Sequence, residues 1–251
     1  MNWTRSDLIL ALDLYCRLPF GKLHKGNPAI IELAKAMGRT PSSLSMKLCN
    51  FASFDPALQL RGIKGLSSVS RGDKAIWAEF SSNWESLALA SADLRPILSL
   101  VGGQPEEPEL PEGETESTGV VKLRLVQGFF RDAVLSSYDY ACAFCGIAVP
   151  GLLIASHIIP WSIDKARRAD PRNGLALCGL HDKAFDRGLM SVDAEHKIMV
   201  SKRLKIRNPP ELHQVGLIGM EGKACRLPHR FQPAEEALEY HREMFGKVAN
   251  G

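Results

Sequence analysis

The sequence predicts an α+β protein of two domains. Three observations carry the prediction. Residues 1–100 show helical spacing of their apolar positions, and residues 120–251 combine short strand-like runs with helices around paired cysteines and histidines. The stretch between them has no apolar period at all. At 251 residues the chain is long enough for two cores, given roughly 100 to 200 residues per domain. Its longest apolar runs, such as Leu8 to Leu12, are far shorter than a bilayer span. The opening Met1-Asn2-Trp3-Thr4-Arg5 has no charged region followed by an apolar stretch, so a soluble cytoplasmic protein without a membrane partner is expected.

The first domain, residues 1–100, reads as helical. Thr4 is an N-cap, and Leu8, Leu12 and Tyr15 follow at helical spacing. A second helix starts at Pro28, where a first-turn proline is tolerated, and runs through Ile30, Ile31, Leu33, Ala34 and Met37 to a stop at Gly38. Thr40 caps a third, with Pro41 at its first position and Leu44, Leu48 and Phe51 as its buried stripe. Helix, short glycine-containing turn, helix is the spacing of a helix-turn-helix. The third helix is expected to expose Ser42, Ser43, Ser45, Lys47 and Asn50, with Arg39 and Thr40 at its start, to phosphates and base edges. The string Met37 to Leu44 resembles homeodomain-like DNA-binding helices; a bundle whose polar face meets only water is the plainer reading. Residues 61–74 are expected to form a loop before one amphipathic helix bearing Trp77, Phe80 and Trp84.

Residues 101–119 hold six glutamates, no basic residue and three prolines. Such a segment cannot bury enough surface to offset its ordering entropy and is expected to be a linker. The net charge of +3 divides as +4 before it, −6 within it and +5 after it. Two basic bodies are compatible with a polyanionic partner without requiring one.

The second domain, residues 120–251, opens with an amphipathic helix from Val121 to Tyr138. Six cysteines in a chain that can build its own core argue against a disulfide framework. Cys16 and Cys49 sit among apolar neighbours as small core residues. Cys142-Ala143-Phe144-Cys145-Gly146 is different: two thiols turned towards one point by a following glycine suit zinc. After 32 intervening residues comes Cys178-Gly179-Leu180-His181, a second half-site that would complete a set of four zinc ligands; two unrelated pairs of buried thiols are the alternative. Between the half-sites lies a strand ending at His157, then Asn173 on the way into a second strand, and Asp182 to Gly188 reads as a short helix.

Strand, loop, strand, helix around His and Asn is a ββα-metal arrangement. With its strings Ser156-His157-Ile158-Ile159-Pro160-Trp161, Asn173-Gly174-Leu175-Ala176-Leu177-Cys178 and His181-Asp182-Lys183-Ala184-Phe185-Asp186-Arg187-Gly188, the sequence resembles the HNH endonuclease family in its restriction-endonuclease-like branch, over about residues 120 to 245. The resemblance implies a metal-dependent DNA endonuclease, related to restriction or defence. His157 is then the general base, and Asn173 orients the active-site loop or binds metal. Two registrations of the third motif letter are open. In one, His181 belongs to zinc and Asp182 is catalytic, with Asp186 four residues on sharing its helix face; these carboxylates then hold Mg²⁺ or Mn²⁺. In the other, His181 is the catalytic ligand and the zinc site is incomplete. The first is favoured because it satisfies both constellations. Arg167, Arg168, Arg172 and Arg187 flank the site and are candidate DNA contacts, and His241-Arg242 is a candidate phosphate contact or a solvated pair. Many relatives place Asp or His where Ser156 stands, a departure that leaves room for a non-catalytic DNA-binding or regulatory protein. A single site cuts one strand, so double-strand cleavage calls for a homodimer or two encounters.

Overall fold

The computed structural model describes residues 2–63, 69–94 and 118–250. Most of the expected acidic linker, residues 101–117, lies outside the described residues. The chain divides into two compact units, Met1–Asp132 and Ala133–Gly251.

The first unit is helical. Helix α1 (Arg5–Arg17) begins in a capping box, in which Thr4 Oγ accepts from the Asp7 N–H and Asp7 accepts from the Thr4 N–H. Helix α2 (Pro28–Ala36) is capped by Asn27 and gives way to Gly38 at φ +63°, a left-handed turn that glycine adopts without strain. Helix α3 (Pro41–Ala52) starts at the Thr40 cap, and Leu44, Leu48 and Phe51 are buried as the sequence requires. A short α4 (Pro56–Leu60) follows. The expected loop over 61–74 is shorter than the sequence suggests: Ser70 and Asp73 form a second capping box and start α5 (Arg71–Phe80). The single helix expected through Trp84 is two, because the backbone breaks at Ser81–Asn83 and Asn83 caps α6 (Trp84–Leu94). Trp77 meets Tyr15, Phe54 and Trp84 ring to ring, joining the helices through an aromatic core.

Helix α7 (Thr118–Ser137) runs through the unit boundary. In the first unit Phe129 stacks on Trp84 at 6.4 Å, and Arg17 of α1 bridges Asp13 and Asp132. A domain ending at residue 100 therefore omits groups that complete this core.

The second unit is built on two small antiparallel hairpins. Strand β1 (Leu153–His157) pairs with β2 (Gly174–Cys178), Leu153 opposite Cys178 and His157 opposite Gly174. Helix α8 (Gly179–Asp186) leaves β2 directly and packs back across both strands. It begins three residues before the expected Asp182 and ends at Asp186, with Gly188 at φ +62° just beyond its cap. The second hairpin is β3 (Met190–Val192) with β4 (Ile198–Val200). Helix α9 (Glu211–Gly216) follows, and α10 (Glu235–Asn250) packs on β3. Among the described residues no helix is long and apolar enough to cross a membrane.

Candidate metal centre and active site

The knuckle Cys142–Gly146 is folded by its own backbone. The Cys142 N–H donates to the Ile147 carbonyl and the Gly146 N–H returns to the Cys142 carbonyl, with Gly146 at φ +76°. The Ala143 N–H then donates to the Ala176 carbonyl at 2.7 Å, docking the knuckle on β2 close to Cys178. Helix α8 supplies His181 one turn later.

The ligand atoms of Cys142, Cys145, Cys178 and His181 all lie within 4.8 Å of one another. Nδ1 of His181 is 3.5 Å from the Cys142 sulfur and 3.2 Å from that of Cys178, and the sulfurs of Cys145 and Cys178 are 3.9 Å apart. A tetrahedral ion with Zn–S ~2.3 Å and Zn–N ~2.0–2.1 Å requires separations of about 3.8 Å for S···S and about 3.6 Å for S···N. The donor set and the distances fit. Nε2 of His181 donates to the Gly216 carbonyl at 2.8 Å, which leaves Nδ1 as the lone-pair nitrogen facing the thiols. Desolvation, with the neighbouring sulfurs of Cys142 and Cys178, pushes the Cys145 thiol up to about 12. Three sulfurs so close need a cation to be thiolates together. Among the described residues this is the one group of three or more such side chains placed to hold an ion.

His157 sits at the end of β1, half-buried. Its Nε2 is 3.0 Å from the Arg168 carbonyl, so Nε2 carries the proton and Nδ1 the lone pair in the neutral ring. Trp161 and the imidazole meet edge to face, centroids 5.6 Å apart at 80°. Burial lowers the pKa of His157 from 6.5, opposed by the Arg168 carbonyl. Asn173 is buried and contacts the loop that joins β1 to β2. Its Oδ1 accepts from the Ile159 N–H at 2.9 Å, while Nδ2 donates to the Ile159 carbonyl at 3.0 Å and the Arg167 carbonyl at 3.5 Å. All of its hydrogen-bonding capacity seen here goes to holding that loop.

Asp182 is 4% exposed, and its charge partner among the described residues is Lys183, 3.8 Å away and itself well exposed. Asp186 lies four residues on, on the same helix face and more open. Burial, with repulsion from Asp182, raises its pKa above 3.8. On β1, the Ser156 hydroxyl is buried without a hydrogen-bond partner among the described residues.

The expected DNA contacts divide. Arg39 is 8% exposed in its side chain, bonds to Asp7 at 2.6 Å and lies 4.1 Å over the Trp3 ring. Lys47 is buried and bonds to Asp73 at 2.7 Å. Both are consumed in stabilising the first unit, which corrects the expectation that they face a phosphate: the acids that neutralise them stand far away in sequence. Thr40 is a cap whose oxygen accepts from the Ser43 N–H, Ser42 is exposed and Ser43 half-buried. Arg172 is forked onto Asp170 yet nearly half exposed, and Arg187 is exposed just beyond α8. His241 belongs to the core: it is 1% exposed, stacks on Phe185 at 3.5 Å and bonds through both nitrogens to Ser191 Oγ and the Phe185 carbonyl. Sequence reasoning missed the main-chain partners, the carbonyls of Arg168 and Gly216, since a carbonyl carries no residue signature. Trp161, an aromatic four residues after His157, was the available signal for the ring contact.

No curated protein matches the chain. Residues 142–193, from the first cysteine of the metal cluster to the residue after β3, match the family model described as HNH endonuclease, so the second unit carries an HNH segment.

Proposed function

We propose that the protein is a metal-dependent DNA endonuclease that hydrolyses phosphodiester bonds at His157, with Asn173, Asp182 and Asp186 completing the site and zinc held by Cys142, Cys145, Cys178 and His181. The observation that carries this reading is the proton placement at His157. A main-chain carbonyl accepts from Nε2 and burial lowers the pKa of the ring, so in the neutral ring the lone pair is on Nδ1.

In this reading Nδ1 of His157 takes the proton from water as its oxygen attacks phosphorus. Asn173 fixes the loop that carries the Arg168 carbonyl and thereby holds the imidazole in place. Asp182 and Asp186 would hold Mg²⁺ or Mn²⁺, which supplies charge stabilisation to the phosphoryl oxygens when bound. The zinc cluster ties the knuckle, β2, α8 and the Gly216 carbonyl together, so its role is structural. His181 facing the thiols favours the registration in which Asp182 is the third motif letter. The first unit, through Thr40, Ser42 and Ser43 at the start of α3, is proposed as the DNA-reading part, and Arg172 and Arg187 as backbone contacts. A restriction or defence role in the cytoplasm, with a homodimer for double-strand cuts, extends the same proposal.

The test is nicking of supercoiled plasmid with Mg²⁺ or Mn²⁺ by wild type and His157→Ala. The proposal expects metal-dependent nicking that His157→Ala loses while still binding DNA. Wild-type protein that binds DNA and zinc but cuts with neither metal supports the second reading, a regulatory DNA-binding protein with a degenerate HNH module, for which Ser156 in place of an acid or histidine is the motive.

A further inference from the structure

After β4 the chain runs Ser201-Lys202-Arg203-Leu204-Lys205-Ile206-Arg207-Asn208-Pro209-Pro210, four basic residues and no acid in ten positions. The segment lies beyond residues 142–193, the part that matches the HNH endonuclease model. Its backbone is fixed. Ser201 is buried; its side chain accepts from the Arg203 N–H and its carbonyl from the Leu204 N–H. The Lys205 N–H donates to the Lys202 carbonyl, and Nε2 of His213 in α9 stands 2.7 Å from the Leu204 carbonyl. On this turn Lys202, Arg203, Lys205 and Arg207 are all exposed. Lys205 is neutralised by Glu221 at 2.7 Å, whereas Lys202, Arg203 and Arg207 form no ion pair among the described residues.

The turn is tied to the helix that bears the candidate acids. The Ser201 N–H donates to the Leu189 carbonyl at 2.9 Å, two residues after the exposed Arg187 at the end of α8. Like charges held together on an ordered backbone repel one another, a cost that a surface of mixed charges avoids. A polyanion laid across them relieves that repulsion. Because the backbone is ordered beforehand, docking restricts only the side chains. We propose that Lys202, Arg203 and Arg207 form a docking surface for the phosphate backbone of duplex DNA, beginning beside the end of α8. The proposal rests on the DNA-cleaving reading of the second unit and names what holds the duplex outside the cutting site. Contacts of this kind fix position and carry no sequence information.

The test measures binding of full-length, zinc-loaded protein to fluorescein-labelled duplexes of two unrelated sequences over a series of KCl concentrations, without added Mg²⁺ or Mn²⁺. Each phosphate contact contributes about 0.9 to the slope of log Kd against log salt. Lys202→Gln/Arg203→Gln is expected to bind both duplexes more weakly, with a slope shallower by about 1.8, and addition of Arg207→Gln brings this to about 2.7. Lys197→Gln/Lys223→Gln removes the same charge as the first pair from exposed lysines at the other end of β4 and is expected to keep the wild-type slope. Glu221→Gln frees Lys205 and is expected to tighten binding and steepen the slope, a gain that misfolding cannot produce.

Wild type that binds and nicks DNA beside Lys202→Gln/Arg203→Gln with an unchanged slope overturns this proposal alone. The same loss in the Lys197/Lys223 pair also overturns it, since net charge and not a local surface is then at work. Loss on one sequence only overturns it as well, because the groups then read bases. If the variants lose binding to duplex RNA while duplex DNA binding holds, the surface belongs to RNA and the proposal fails. Loss in the variants from a wild type that binds DNA but does not nick it keeps the surface and overturns the nuclease reading. Wild type that binds no duplex overturns both.

Discussion

At His157 a main-chain carbonyl chooses which ring nitrogen carries the proton, and burial extends the pH range over which the ring is neutral. Burial lowers the pKa and the carbonyl raises it less, so the ring is neutral down to a pH below its ordinary 6.5. Activity that needs the neutral ring should be constant through neutrality and fall only as pH drops through this lowered pKa. A pH–rate profile of kcat/KM should therefore place its acidic limb below about 6.5, and a limb above that value would contradict the neutral-base account. His241 is subject to the same physics with a different outcome. Burial, opposed by the Phe185 carbonyl, lowers its pKa from 6.5 to about 4. The folded form then holds fewer protons than the unfolded chain between these values, so the contribution of His241 is fully present above 6.5 and is lost as pH falls towards 4. The accumulated loss is about 3 kcal/mol at ~1.4 kcal/mol per pH unit. Chemical denaturation at stepped pH should show this decline for the wild type and a shallower one for His241→Gln, measured relative to each protein at neutral pH.

Among the elements, the zinc knuckle and the β1–β2 loop bear most on the site. The cluster joins segments 142–146, 178–181 and, through His181, Gly216, so Cys142→Ser should release zinc and unfold the second unit, because binding to such a site is folding free energy. Metal analysis of the purified variant beside circular dichroism checks this, and a zinc-free variant with unchanged melting would contradict it. Asn173 makes its bonds to both ends of one loop. Asn173→Ala leaves the Ile159 N–H and carbonyl without these partners inside the protein, at a cost of about 1–3 kcal/mol, and should lower cleavage through the loss of order around the Arg168 carbonyl. Much of this was legible in the sequence. Capping residues Thr4 and Thr40, glycines at 38, 146 and 188, and the spacing of the cysteines act locally, and local chemistry can be read from adjacent letters. The break after Phe80 was not legible, since Trp77, Phe80 and Trp84 keep helical spacing across it and only Asn83, as a cap, marks the new helix. Nor could Lys47 and Arg39 be told from surface cations. Asp73 and Asp7, which neutralise them, are 26 and 32 residues away, and the pairings exist only once α1, α3 and α5 have packed.

For the molecule as a whole, the change of composition at residues 101–119 suggests a division there, whereas compactness divides the chain after Asp132. Phe129 and Asp132 belong to the first unit's aromatic core and ion pairs, and their sequence position after the linker hid this. A fragment of residues 1–132 should melt cooperatively and at higher temperature than 1–100, which lacks Phe129 against Trp84 and Asp132 against Arg17; equal melting would contradict that division. If the first unit reads DNA, its affinity should fall with salt as phosphate contacts release counterions, and binding indifferent to salt would remove the DNA-reading role. The most direct test of the central claim is a titration of plasmid nicking with Mg²⁺ and Mn²⁺ for wild type, His157→Ala, Asp182→Asn and His181→Ala, with zinc content measured on each preparation. The account predicts that wild type cuts in proportion to bound metal, that His157→Ala keeps zinc and DNA binding but loses cleavage, that Asp182→Asn needs more metal, and that His181→Ala loses zinc and its fold. A His181→Ala protein that retains zinc and fold but loses metal-dependent cleavage, beside an Asp182→Asn protein that cuts normally, would contradict it.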